Sequence, residues 1–231
     1  MKKEEVNKIL GEIETGYDSM SGKFSETRKY FWRGLEFIGD YAKNGDKILD
    51  YGCGNGRLLE LLTDKDIEYV GVDVSQKLIN IAKEKYHAEN IEFHKISSSR
   101  SLSFPDNYFN AVYSIAVFHH IPGEKERKRV VKELYRVVAP GGYIVATVWN
   151  LWQKKYSDNI FKNWINKIFR RGKLDWNDCH VSFKNNKGKI FNRYHHAFLF
   201  DEMEELFSSA GFKIEKCEII NNRNIVLIGK K

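Results

Sequence analysis

The sequence predicts an α/β fold: a doubly wound, mostly parallel, seven-stranded sheet with an antiparallel edge strand. Three observations carry this. Short β-branched runs alternate with helical patterns between residues 47 and 149, which argues for strands joined through helices on both faces of one sheet. Three glycines, Gly52, Gly54 and Gly56, directly follow the first run. Near the C-terminus two apolar runs are separated by Asn221-Asn222, which suits a tight hairpin.

Helical patterns over 2–15 and 26–43 make an N-terminal segment, residues 1–44, that is expected to pack on the core. The rest, residues 45–231, reads as one domain with an insertion at 151–195. Strands are expected at Lys47–Tyr51, Ile67–Val72, Ile91–Lys95, Phe109–Ile115 and Tyr143–Trp149. Between them lie helices at Arg57–Thr63, Ser75–Tyr86 and Glu124–Val138. Ser75 is a suitable N-cap, and Pro140 with Gly141-Gly142 stops the last of the three. A helix at Asp201–Ala210 ends at Gly211, and the strands Phe212–Ile220 and Asn224–Ile228 close the chain.

The charge is unevenly placed. The 231-residue chain carries a net +7, yet residues 151–195 alone hold eleven Lys/Arg against three Asp. Such a concentration is what a polyanion footprint looks like, although a solvated insertion also has this composition. Aromatics are interleaved with the cations, among them Trp152, Tyr156, Phe161, Trp176 and Phe183. They are candidates for stacking on bases, while Trp164, Ile165, Ile168 and Phe169 repeat at helical spacing and read as a packing face. Arg170, Arg171 and Lys173 are the candidate phosphate contacts. No apolar run approaches the roughly 20 residues needed to span a bilayer. The first residues lack the apolar core of a signal peptide. Three distant cysteines have no metal-ligand spacing, so a cytoplasmic location without a membrane or metal role is expected.

The glycines call for a ligand. In a doubly wound sheet the first strand-to-helix turn lies at the ligand-binding edge, and glycine removes the Cβ that would block close approach. A dinucleotide fingerprint would need glycine at position 57, where Arg57 stands. The pattern is instead D-x-G-x-G-x-G, starting at Asp50. At the end of the second strand, Asp73 is placed to accept from both hydroxyls of a ribose.

The stretches LDYGCGNGRLL, GVDVS and RVVAPGGYIVATVW resemble the core motifs of class I S-adenosylmethionine-dependent methyltransferases, a Rossmann-like family. The resemblance implies that Gly52, Cys53 and Gly54 line the methionine part of the cofactor. It implies that Asp50 organises the loop or receives the amino group, and that Asp73 holds the ribose. Tyr17, Arg28, Val74 and Ile115 join the cofactor site. Ser97 and Ser98 stand where that family often places an acid against the adenine amine.

Three further stretches, residues 17–32, 113–142 and 191–212, resemble the tRNA wobble-uridine carboxymethyl methyltransferases. Their matching features are Tyr17-Asp18, Phe24-Ser25, Thr27-Arg28, Trp32, SIAV-x-HH, Trp149 with Gln153, and Arg193-Tyr194. The family pattern favours Arg-Tyr-Tyr-His where this chain has RYHH, residues 193–196. The resemblance implies a tRNA anticodon region as partner, with a small zinc-binding activator subunit as in eukaryotic relatives. It makes His119, His120 and Arg193 the catalytic candidates, and Trp149, Tyr194 and His196 substrate contacts.

The chemistry is compatible. A carboxylate with a pKa of about 4 arrives ionised and needs no general base, only donors that orient it, whereas an amine or phenol acceptor would need a base such as one of the histidines. In an extended segment His119 and His120 would point to opposite faces, leaving one in the site. Two other readings share the cofactor site: a small-molecule O- or C-methyltransferase, and a cofactor-binding module without catalysis.

Overall fold

In a pleated strand neighbouring residues face opposite sides, and β1 (Lys47–Tyr51) shows it. Leu49 joins a core cluster with Val112 and Val130, and Ile48 joins a second with Ala111 and Tyr113. The first cluster lies beneath α3 (Glu124–Val137) and α5 (Phe200–Ser208). The second lies beneath α2 (Gln76–Lys85) and the residues around Leu35 and Ile38. Two apolar faces therefore cover one sheet, as the alternating pattern predicts.

The structure is a computed structural model that describes the chain apart from residues 29, 98–100 and 185–187. The remaining sheet strands are β2 (Glu68–Asp73), β3 (Ile91–Lys95), β4 (Phe109–Ile115), β5 (Val138–Trp149), β8 (Lys213–Ile220) and β9 (Asn224–Lys230). Their order is β3-β2-β1-β4-β5-β9-β8. β1 to β5 pair in parallel, and β9 is antiparallel to β5 and β8, so the closing hairpin makes the antiparallel edge. Asn221 and Asn222 have φ of 51° and 54°, as a two-residue turn with both central residues left-handed requires. The order reverses between β1 and β4, which opens a cleft at the carboxyl ends of these strands.

Three elements depart from expectation. α1 (Lys3–Glu26) is one 24-residue helix, not two helices at 2–15 and 26–43. It runs through Gly16 because Phe191 packs on that glycine. Residues Glu36–Tyr41 form only a short 3-10 turn. The expected helix at Arg57–Thr63 is a 3-10 turn, Arg57–Leu61, entered through Gly56 at φ 75°.

The basic insertion is ordered as α4 (Lys154–Ile168) followed by a two-stranded antiparallel sheet, β6 (Asp178–Lys184) and β7 (Ile190–His196). β7 packs on α1 through Phe191 and Tyr194, which meet Ile9, Ile13 and Met20. Of the expected packing face on α4, only Trp164 packs, against the cluster around Ile160 and Leu151. Ile165, Ile168 and Phe169 are 56%, 66% and 64% exposed, and Ile160 provides the buried contact instead. Among the described residues no helix is long and apolar enough to cross a membrane.

Candidate active site

β1 delivers the chain into the glycine turn, where Gly52 and Gly54 have φ of 81° and 56°. A Cβ on Gly52 would collide with the Val117 side chain, so this backbone cannot carry another residue. Asp73 ends β2 and braces the turn. Its Oδ2 accepts from Gly54 N at 2.9 Å and its Oδ1 from Ser75 N at 2.8 Å. Each carboxylate oxygen keeps a further lone pair. Burial pushes Asp73 above the usual carboxylate range, against the pull of these amides. Ser75 caps α2 by accepting from Leu78 N.

α1 forms the roof. Asp18 Oδ1 accepts from Ser75 Oγ at 2.6 Å and from Lys77 N at 3.1 Å. Asn55, inside the glycine turn, donates to Ser25 Oγ at 3.1 Å and to Arg28 O at 3.4 Å. The roof and the turn thus enclose a cavity of about 130 Å³. Gly52, Gly54, Asp73, Val74 and Ile115 line it, together with His119, His120, Trp149 and Arg193. Tyr17 and Arg28 also line it, from the roof.

Three arginines on this cavity, Arg28, Arg57 and Arg193, make no ion pair among the described residues. Burial lowers Arg28, and burial with the nearby Arg28 charge pulls Arg57 down to about 10. Arg57 rests 3.8 Å over the Trp32 ring. Arg193 is 4% exposed and is flanked by the rings of Trp149 at 5.2 Å and Phe183 at 4.9 Å. An uncompensated buried cation is costly, which singles out Arg193, since Arg28 and Arg57 are only half-buried.

Three imidazoles crowd together beside this cavity. His119 and His120 lie on a 3-10 turn, Phe118–His120, so both border the cavity instead of pointing to opposite faces. His119 Nδ1 accepts from Trp149 N at 3.3 Å. His120 is bonded through Nδ1 to Tyr194 O at 2.9 Å and through Nε2 to Tyr17 Oη at 2.7 Å. His195 approaches from β7, with Nδ1 on Arg193 O at 3.0 Å. Nitrogens of the three rings lie within 4.8 Å of one another, but a cation there would have to displace Tyr17 or the Tyr194 carbonyl from His120.

A methyltransferase domain model matches residues 49–146. The tRNA (carboxymethyluridine(34)-5-O)-methyltransferase of Schizosaccharomyces pombe is 30% identical over 209 residues, covering 86% of this chain and 87% of that protein. The chain belongs to that family. The enzyme of the same description from Arabidopsis thaliana is 35% identical over 133 residues, which are 58% of this chain and 31% of that protein. A Xenopus tropicalis relative is matched over 23% of its length, so the chain spans under a third of these two. A SAM-dependent methyltransferase from Methanosarcina mazei shares the fold, with TM-score 0.70 at 24% identity over 87% of this chain and 98% of that one. A Haloferax volcanii methyltransferase solved with its activator has TM-score 0.64 at 15% identity, over 94% and 96% of the two chains.

Within this tRNA methyltransferase family, several residues that the resemblance assigns lie away from the cavity. Tyr194 is 2% exposed among Ile9, Ile13 and Met20, on the opposite pleat of β7 from Arg193, so it is a core residue and not a substrate contact. His196 is no substrate contact either. It is clamped between Asp178 Oδ1 and Glu202 Oε1, each at 2.7 Å. Arg127 extends this buried network to Glu202 at 3.4 Å. Asp50 and Cys53 sit behind the turn. Asp50 accepts from Tyr69 Oη at 2.7 Å, and burial raises it to about 7.

Cys53 packs in the second core cluster. Ser97 is exposed and off the cavity wall, where Ile96 stands instead. Ser98 lies outside the described residues. Arg170, Arg171 and Lys173 are exposed beyond α4, and Lys173 pairs with Glu5 at 3.5 Å. Sequence reasoning gave no cofactor role to Arg57, Trp32, Phe24 or Ile96, all on the wall.

Proposed function

We propose that this chain is a cytoplasmic S-adenosylmethionine-dependent methyltransferase that esterifies the carboxylate of 5-carboxymethyluridine at the wobble position of tRNA. The observation that carries the reading is Arg193, a buried guanidinium on the cavity wall without an acid partner among the described residues. Such a group suits an anionic acceptor.

The residues fit the cofactor. The left-handed Gly52 and Gly54 leave room that a Cβ would take, and Asp73 keeps acceptor capacity beside them. Bound S-adenosylmethionine would supply an electrophilic methyl group on its sulfonium. The chain's own contribution is positional. The α1 roof excludes water, Arg193 orients the acceptor carboxylate, and Trp149 lines the same cavity. An ionised carboxylate needs no proton removed, so the buried histidines are not required as bases.

The exposed end of the insertion supports RNA as the carrier. Phe161, Phe169 and Trp176 are 52%, 64% and 53% exposed, with Arg171 5.7 Å from the Phe169 ring and Lys167 5.8 Å from the Trp176 ring. Exposed rings among cations suit stacking on unpaired bases and contact with phosphates. For a small zinc-binding activator subunit, the outer strands β3 and β8 are the available sheet edges.

The test is methyl transfer from labelled S-adenosylmethionine to tRNA that contains carboxymethyluridine, followed by mass spectrometry of the nucleosides. Label in the methyl ester of that nucleoside is the expected result. Label in another nucleoside removes the carboxylate reading. Labelling of a small metabolite with none in tRNA removes the RNA reading.

A further inference from the structure

The hydrogen bonds around the three buried histidines fix where each ring carries its proton. Burial, with the neighbouring cations, holds His119 and His195 well below the usual imidazole value and His120 at about 3. All three are neutral at pH 7, each with one N–H and one lone pair. A backbone N–H only donates, so Trp149 N places the lone pair of His119 on Nδ1 and its proton on Nε2. A carbonyl only accepts, so Tyr194 O places the proton of His120 on Nδ1, and its Nε2 accepts from the Tyr17 hydroxyl. By the same logic His195 donates from Nδ1 to Arg193 O.

The two rings that border the cavity therefore offer no free lone pair. Two buried protons are left over. Among the described residues His119 Nε2 and Arg193 Nε have no hydrogen-bond partner, although His119 is wholly buried and Arg193 nearly so. The His119 proton does not go to His195. The two rings are nearly parallel, with centroids 5.1 Å apart, and His195 Nε2 is likewise without a hydrogen-bond partner among the described residues. A buried donor without a partner is costly, and both of these residues line the same cavity.

We infer that His119 and Arg193 are specificity residues for the acceptor, offering one N–H each to the two oxygens of an ionised carboxylate and rejecting the corresponding carboxamide. In a carboxamide one oxygen is replaced by an NH2 group, which sets donor against donor. Tyr17 and His120 are positioning residues. Their mutual bond takes the only lone pair of His120, so that ring offers no acceptor to an amide. This inference rests on the proposed reading of the acceptor as a carboxylate.

The experiment uses anticodon stem-loops with either 5-carboxymethyluridine or 5-carbamoylmethyluridine at the wobble position. Wild type, His119→Leu and His119→Asn are compared, with cofactor affinity measured in each as the check on folding. In wild type the carbamoyl loop should compete about a hundredfold more weakly than the carboxymethyl loop binds. His119→Leu should raise KM for the acid by about tenfold or more and narrow the discrimination. His119→Asn keeps an N–H and should restore most of both.

Equal competition by the carbamoyl loop in wild type overturns the inference without recourse to any variant. So does a His119→Leu enzyme that binds cofactor normally and keeps both its KM and its discrimination. A wild type that binds cofactor yet forms no ester on the carboxymethyl loop overturns the functional reading and this inference together. That failure appears before any substitution is made, so the two are distinguishable.

Discussion

The ring of Phe191 lies on Gly16, in the space that a side chain at residue 16 would fill. This contact joins α1, the roof of the cavity, to β7, the strand that carries Arg193. Replacing a helix-interior glycine with alanine ordinarily stabilises by about 1 kcal/mol. Here the added Cβ meets the aromatic ring, and overpacking costs about 1–3 kcal/mol. Gly16→Ala is therefore expected to lower the unfolding midpoint and to weaken turnover, because the strand under Arg193 must shift. Denaturant unfolding shows the sign directly.

Asp73→Ala should weaken cofactor binding by about ten- to a hundredfold, the worth of one or two hydrogen bonds to a charged group. The variant also strips Gly54 N and Ser75 N of their acceptor. Titration calorimetry gives the affinity, and an unchanged value would remove Asp73 from the cofactor site.

Arg193→Ala should cost about ten- to a hundredfold in kcat/KM on carboxymethyluridine RNA while cofactor affinity is kept. Arg193→Lys should recover part of the loss, since it keeps the charge but lacks the Nε–H and the planar fork. Full activity in the lysine variant would show that charge alone suffices.

The network around His196 predicts a pH dependence of stability. Burial alone would lower His196, but its bonds to Asp178 and Glu202 leave it raised above the usual imidazole value. Burial alone would raise Asp178 and Glu202, and their bonds to His196 leave both lowered. The histidine contribution is complete below its unfolded value and fades as pH rises through the folded one. The carboxylate contributions are complete above their unfolded values and fade as pH falls through the folded ones. His196→Gln should cost about 3 kcal/mol near pH 6, and the gap to wild type should shrink at alkaline pH. Unfolding curves across pH report it.

Neutralising Arg170 and Arg171 together should reduce RNA affinity and flatten its dependence on salt by about two units of log–log slope if each contacts one phosphate. Lys173, engaged with Glu5, should matter less. Filter binding at several salt concentrations measures the slope.

Local signals were readable in the sequence. The glycine turn, Asp73 and the Asn221-Asn222 hairpin are set by backbone sterics within a few residues, and the structure has them in place. Tertiary choices were harder. Tyr194 and His196 were selected as neighbours of Arg193, yet a strand places i and i+2 on one face, and it is His195 that joins His119. The stripe Val6, Ile9, Ile13, Tyr17, Met20 runs at helical spacing straight through Gly16, and the glycine masked it. Cys179, Val181 and Phe183 alternate in β6, a strand pattern hidden by the surrounding charges. The two histidines face one cavity because residues 118–120 coil into a 3-10 turn, and nothing in the local sequence specifies that.

Arg28, Arg57 and Arg193 share one cleft, and none of them makes an ion pair among the described residues. In the proposed reaction the acceptor enters with a negative charge and leaves without it. Attraction between unit charges in a poorly screened site is several kcal/mol, and esterification switches it off for Arg193 at the moment the bond forms. The grip that loads the RNA is therefore spent by the chemistry itself. The modified uridine departs from a cleft that holds a fresh carboxylate more tightly than a finished ester, so product release is eased without any moving part.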